Sequence, residues 1–82
     1  MLVAREKLAE YLKNLDNVVD VDVYYDDAKV IVKVVFQGSV SLDEIKEVVK
    51  VLSRVFRGCR VLGVSLFSTN FIDVFVEFSR EG

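Results

Sequence analysis

The sequence predicts a small α+β fold of two helices and four strands in the order αββαββ. Two segments carry apolar residues at spacings of three and four, as amphipathic helices do. Four other segments alternate apolar and polar residues, as half-buried strands do. Each helical segment precedes two alternating segments, so the unit helix-strand-strand occurs twice, over residues 2–36 and 42–78.

The first helix is predicted to run from about Leu2 to Asp16. Its apolar residues recur on one side, and charged residues fill the other. After Asn17 the period changes to two, which predicts the first strand. The predicted helix core is Ala4, Leu8, Tyr11, Leu12 and Leu15. The predicted inward residues of the strand are Val19, Val21, Val23 and Tyr25, with Asp20, Asp22 and Tyr24 on its other face.

A turn at Asp26, Asp27 and Ala28 leads to the second strand, since aspartate side chains accept hydrogen bonds from nearby backbone amides in turns. The second strand alternates throughout its length. Its inward residues are predicted to be Val30, Val32, Val34 and Phe36, and its outward residues Lys29, Ile31, Lys33 and Val35.

A capping box is predicted at Ser41 and Glu44, where each side chain accepts from the other residue's amide. The second helix should extend from Leu42 to about Arg57 and end at Gly58, a residue that adopts the left-handed conformation easily. Its buried side is predicted to be Ile45, Val48, Val49, Leu52, Val55 and Phe56.

The last two strands are predicted as a hairpin with the loop Ser68 to Asn70. In this register Phe67 lies opposite Phe71, and Gly63 lies opposite Phe75. The fourth strand is expected at the middle of the sheet, because both of its faces carry apolar side chains. The third strand is predicted from Arg60 to Phe67 with Leu62, Val64 and Leu66 inward, and the fourth has Ile72, Val74, Val76 and Phe78 inward.

Two αββ units are predicted to fold together as a two-layer sandwich. The whole chain, residues 1–82, is predicted to form a single domain. One mixed or antiparallel sheet has both helices on one face, and right-handed crossovers favour strand order 3-4-2-1 with strands 2 and 4 central and parallel. This is a circularly permuted ferredoxin-like fold; a roadblock-like order is the alternative. The element order and apolar spacing resemble the permuted ferredoxin-like domains of assembly-platform proteins in type II secretion and type IV pilus systems. That resemblance implies a dimerising scaffold.

Composition argues against an enzyme. The chain has no His, one Cys and no glycine-rich phosphate loop, so we expect no catalytic residues, cofactor or metal ligands. The formal charge of -2 gives no general attraction to nucleic acid or to an acidic membrane. No apolar run is long enough to span a membrane, and the single Cys fits a reducing compartment, so a cytoplasmic location is expected. The charged, His-free composition is typical of a heat-adapted source.

The outward sheet face is the strongest functional hint. Apolar side chains on a sheet face turned away from the helices predict a partner that covers them, most simply a second copy of the chain. We therefore expect a homodimer and a role in protein-protein interaction. The predicted interface residues are Tyr24, Ile31, Val35, Phe67, Phe71 and Phe75, with Val61 beside them.

A nucleic-acid-binding role is the alternative. Four basic residues recur along one side of the second helix and form a stripe able to contact phosphates. An ordinary solvated helix face explains the same pattern. The acidic pair Asp20 and Asp22 is expected to balance lysines on the neighbouring strand. The stripe consists of Lys46, Lys50, Arg54 and Arg57.

Overall fold

The computed structural model describes residues 5–12 and 15–80 as an α+β fold with two helices and a four-stranded antiparallel sheet. None of the helices in this part of the chain is long and apolar enough to cross a membrane. The elements follow the predicted order. They are α1 (Arg5–Leu12), β1 (Val18–Tyr25), β2 (Lys29–Phe36), α2 (Leu42–Val55), β3 (Val61–Ser68) and β4 (Ile72–Ser79).

The strands lie side by side in the order β1-β2-β4-β3, and every neighbouring pair is antiparallel. The expected parallel pairing of the second and fourth strands is therefore wrong. A helical crossover connects parallel strands, and the crossover through α2 connects β2 to β3. These two strands are not neighbours in the sheet, because one strand lies between them. β4 returns between them in the opposite direction.

One hydrophobic core lies between the sheet and both helices. The inward residues of β2 and β4 are almost completely buried, as their alternation predicts, and both helices contribute to the same cluster. The helices therefore pack on one sheet face. Among the described residues, the core contains Leu8, Leu12, Val21, Val30, Val32, Val34, Phe36, Val48, Leu52, Phe56, Val74, Val76 and Phe78.

The ends of α2 follow from local chemistry. Ser41 Oγ accepts from the Glu44 amide at 3.1 Å, and Glu44 Oε1 accepts from the Ser41 amide at 2.9 Å, so the predicted capping box is confirmed. The helix ends at Val55 rather than near Arg57, because Phe56 is already non-helical. Gly58 has a positive φ of 88°, the conformation expected of it after a helix.

Near the start of the chain, the first helix and strand depart from the predicted pattern. Leu15 lies in a turn and its amide donates to the Leu12 carbonyl at 3.0 Å, so the helix does not continue to Asp16. Tyr11 and Val19 were expected in the core but are 52% and 50% exposed. A β-bulge between Val18 and Asp20 displaces Val19 from the inward row. The predicted core position Ala4 is outside the described residues.

The β1–β2 turn is held by the carboxylate of Asp26. Its Oδ1 accepts from the amides of Ala28 at 2.9 Å and Lys29 at 2.8 Å. These two hydrogen bonds lower the pKa of Asp26, and the nearby charges of Lys29 and Arg80 act in the same direction. Arg80 joins the end of β4 to this turn, because its side chain donates to the Asp26 carbonyl at 2.6 Å.

Candidate interaction surface

The predicted interface residues on the open sheet face are exposed to different degrees. Phe67 is 61% exposed, Tyr24 48% and Phe71 42%. Ile31 and Phe75 are half-buried. Val35 is 8% exposed and has little surface left to offer a partner. The two exposed Phe residues belong to β3 and the loop after it, so exposed aromatic surface is concentrated at that end of the sheet.

The aromatic cluster on this face has a different register from the predicted one. The loop is Thr69 to Phe71, so Phe67 lies opposite Asp73 and Gly63 lies opposite Glu77. Both predicted pairs, Phe67 with Phe71 and Gly63 with Phe75, are wrong. The rings of Phe67 and Phe75 instead meet diagonally as a T-shaped pair with centroids 5.5 Å apart. Both rings remain on the outward face, because the partner position changes by two residues.

Charged groups form two cross-strand ion pairs among the apolar residues of the outward face. Lys33 Nζ lies 3.7 Å from Asp22 Oδ2 on β1, the cross-strand balance that was predicted for this aspartate. Lys29 instead pairs with β4, with Nζ 2.9 Å from Glu77 Oε1. The hydrogen bond to Glu77 raises the pKa of Lys29, and the charge of Glu77 adds to that effect.

Lys33 is the centre of the charged region. Desolvation lowers the pKa of Lys33, but Tyr24, Asp22 and Asp73 together outweigh it, so the pKa is raised. The lysine therefore stays protonated among acidic and phenolic neighbours from the two adjacent strands, β1 and β4. Tyr24 lies opposite Ile31, and Ile31 lies diagonally from Phe75, so the charged residues lie among the outward apolar residues.

The helix-facing side of β3 carries apolar surface that sequence reasoning assigned to the core. Leu62, Val64 and Leu66 are 49%, 39% and 50% exposed. Val64 and Leu66 lie opposite Val76 and Val74, both buried, so they occupy the expected face but lack a helix above them.

Val61 was expected on the outward face, but it lies opposite Phe78 beside a β-bulge and is 38% exposed. β3 presents apolar side chains on both faces, since Val64 and Leu66 lie on the helix-facing side and Phe67 lies on the outward side. Every residue of β3 except Gly63 is exposed, and Gly63 is half-buried. The signal that could have revealed this surface is the absence of any charged residue from Val61 to Ile72.

The basic residues on and after α2 are all exposed. Three of them lie on the helix, while Arg57 lies in the turn after it. Arg54 also lines a cleft of about 360 Å³ between α1 and α2, together with Tyr11 and Glu47. The stripe is therefore shorter than predicted on the helix itself, and one of its members lines the same cleft as an acidic residue. The four basic residues are Lys46, Lys50, Arg54 and Arg57.

Other candidate chemistry is sparse in the described ranges 5–12 and 15–80. No group of three or more His, Cys, Asp or Glu side chains is arranged to hold a metal ion there. Cys59 is half-buried and packs against the core, as expected of a small filler side chain.

Comparison with known proteins finds no family model that matches the chain, no curated protein that matches it and no matching solved structure. The resemblance to secretion and pilus assembly domains stays a prediction.

Proposed function

We propose that this chain is a non-enzymatic protein-protein interaction module that forms a homodimer. The observation that carries the proposal is the exposed apolar surface of β3 and its loop, which includes the Phe67 end of the outward sheet face. Soluble monomers rarely expose a contiguous apolar patch larger than a few hundred Å². The exposed apolar residues are Val61, Leu62, Val64, Leu66, Phe67 and Phe71.

The finer description of the fold belongs to the same proposal. We propose a circularly permuted ferredoxin-like fold built from two αββ units. Its support is the strand order β1-β2-β4-β3 with three antiparallel pairs, and the two hairpins that each follow a helix. A scaffold of this kind supplies a rigid sheet whose exposed side chains are held in place for a partner.

The experiment is a measurement of solution mass by light scattering and sedimentation equilibrium, from low micromolar to millimolar concentration. The wild-type chain should move from monomer to dimer across this range. Phe67→Lys should remain monomeric because it places a charge in the apolar surface, while Asp73 on the opposite strand position accommodates it within the monomer. Val19→Lys is the matched control, since Val19 is also half exposed but lies on β1. A wild-type monomer at every concentration would refute the proposal.

Nucleic-acid binding is the second candidate, favoured by the exposure of Lys46, Lys50 and Arg54 along α2. Affinity for a nucleic acid should then decrease steeply as salt increases, because cations are released from the phosphates. Lys50→Glu should abolish the binding, and Lys7→Glu, an exposed lysine on α1, should reduce it less. If the wild-type chain binds neither RNA nor DNA at low salt, this candidate is eliminated.

A further inference from the structure

We infer that the homodimer forms by antiparallel pairing of β3 with β3 of a second copy, around a two-fold axis at Ser65. The inference depends on the proposed self-association and specifies the contact that produces it. The two four-stranded sheets would join into one continuous sheet of eight strands.

Two hydrogen bonds fix which backbone groups of β3 are directed at the free edge. At one end the Thr69 amide donates to the Phe71 carbonyl at 2.9 Å, and at the other the Ser79 amide donates to the Arg60 carbonyl at 2.8 Å. With the bulge between Val61 and Gly63, both bonds place the odd-numbered residues 63–67 in the hydrogen-bonded positions toward β4. The amides and carbonyls of the even-numbered residues therefore point away from β4. They are Val64, Leu66 and Ser68, while Leu62 is the extra residue of the bulge.

The side-chain pattern selects the register. The regular part of β3 runs from Gly63 to Ser68, beyond the bulge at Leu62, and an axis at Ser65 keeps both pairs flanking it within this regular part. With the axis at Ser65, Val64 lies opposite the partner's Leu66, and both belong to the hydrogen-bonded set. Gly63 then lies opposite the partner's Phe67, whose ring can cover the bare glycine backbone. An axis at Val64 instead places Phe67 against the irregular bulge.

Edge pairing covers both exposed faces of β3 in one contact. The helix-facing row of Leu62, Val64 and Leu66 meets its symmetry copy on one side of the new sheet. On the other side of the new sheet, Phe67 packs against β3 of the second copy. A dimer that stacks two outward sheet faces would leave the helix-facing row in water, so edge pairing accounts for more of the exposed apolar surface.

Charge favours a second copy as the occupant. β3 carries no charged side chain, so two copies approach without like-charge repulsion. The other edge strand, β1, carries Asp20 and Asp22, and pairing of two β1 strands would bring carboxylates together. Only one of the two sheet edges is therefore compatible with self-pairing.

The exposed apolar area is sufficient for a modest dimer. If a fully exposed large apolar side chain presents roughly 150 to 250 Å², the six exposed apolar residues of β3 and its loop offer roughly 400 to 700 Å² per copy. Specific interfaces begin at about 1,200 Å² in total over both partners. This places the dimer at the small end of specific interfaces and predicts a concentration-dependent equilibrium.

Hydrogen exchange of the unmodified protein tests the inference without any risk of misfolding. The amides of Val64, Leu66 and Ser68 should exchange at least ~10-fold more slowly at concentrations where the dimer forms than in the monomer. Free-edge amides of β1 serve as the control and should not change. A dimer in which the three β3 amides exchange as fast as in the monomer would overturn edge pairing and leave the proposed homodimer intact. A protein that is monomeric throughout would overturn both.

Disulfide trapping tests the register in a Cys59→Ser background. Ser65→Cys places two thiols directly across the axis in a non-hydrogen-bonded pair, where opposing side chains are closest, so mild oxidation should give a covalent dimer in high yield. Val64→Cys reports the neighbouring register, and Ser39→Cys, in the exposed loop before α2, reports random collision. Trapping of Val64→Cys above Ser65→Cys, or equal trapping of all three, would overturn the proposed axis.

Discussion

The two edge strands of the sheet, β1 and β3, are each the first strand after a helix, yet their surroundings differ. α1 packs against β1, and Val21 on β1 is only 3% exposed. The corresponding row of β3 is exposed, with Val64 at 39%. β1 carries Asp20 and Asp22, whereas β3 carries no charge. The comparison teaches that a repeated sequence pattern does not guarantee repeated burial, because burial depends on what lies above the strand.

Charge on an edge strand matters because the unpaired backbone of any edge can accept another strand. Natural sheets discourage such contacts with charged side chains or with a covering element. β1 has both protections in the described structure, and β3 has neither. The difference marks β3 as the edge at which association is expected.

The largest expected effect compares the two edges by truncation. Val21→Ala should lower the free energy of unfolding by about 2 kcal/mol, because it removes two methyl groups from a buried position and leaves a cavity. Val64→Ala should lower it by less than about 1 kcal/mol in the monomer, because that side chain is already partly in water. Urea denaturation, at protein concentrations too low for the dimer to form, measures the loss of unfolding free energy in both variants. Equal losses would show that β3 is covered in the monomer and would break the comparison.

Transfer of an edge charge from β1 to β3 should have the next largest effect. Ser65→Asp places two carboxylates opposite each other across the proposed axis and should weaken the dimer by at least ~10-fold, or about 1.4 kcal/mol. Monomer stability should change by less than about 0.5 kcal/mol, because Ser65 is exposed. Sedimentation equilibrium gives the dissociation constant, with Ser39→Asp as the matched control. An unchanged constant would place the contact elsewhere on the molecule.

The smallest expected effect is on the pH dependence of stability, which should differ between the two hairpin turns. The folded-state pKa of Asp26 is lowered, so its contribution to stability is present above the unfolded value of about 3.9 and is lost as pH falls through the folded value. The β3–β4 turn of Thr69 to Phe71 contains no carboxylate.

Unfolding free energy measured against pH should therefore decrease less steeply in acid for Asp26→Asn than for the wild type. Parallel curves for the two proteins would show that the turn carboxylate does not contribute. The magnitude is small because the Asp26 side chain is exposed.

Period and capping chemistry made most of the fold predictable. The alternation of Val30, Val32 and Val34 requires one face of β2 to be buried whatever the topology, and the Ser41–Glu44 box fixes the start of α2 locally. These signals depend on neighbours in sequence. The direction of β4 relative to β2 depends instead on which strands the crossover joins, and no residue pattern encodes that.

The candidate surface was predictable only in part. Phe67 and Phe71 are exposed as expected, since no inward position was available to them. The exposure of Leu66 was missed because alternation shows which face a side chain occupies and does not show whether a helix extends over it. The hairpin register was missed because Ser68, Thr69 and Asn70 are all acceptable in a turn, and a loop moved by one residue is equally plausible from sequence.

The position of β4 between β2 and β3 has a consequence for synthesis of the protein. A ribosome delivers residues 18–36 and 61–68 before residues 72–79, so the two outer parts of the sheet emerge without the strand that joins them. The nascent chain therefore holds an incomplete sheet until almost all of this region has left the exit tunnel, and in that interval chaperones would find one edge of β2 and the whole of β3 unpaired.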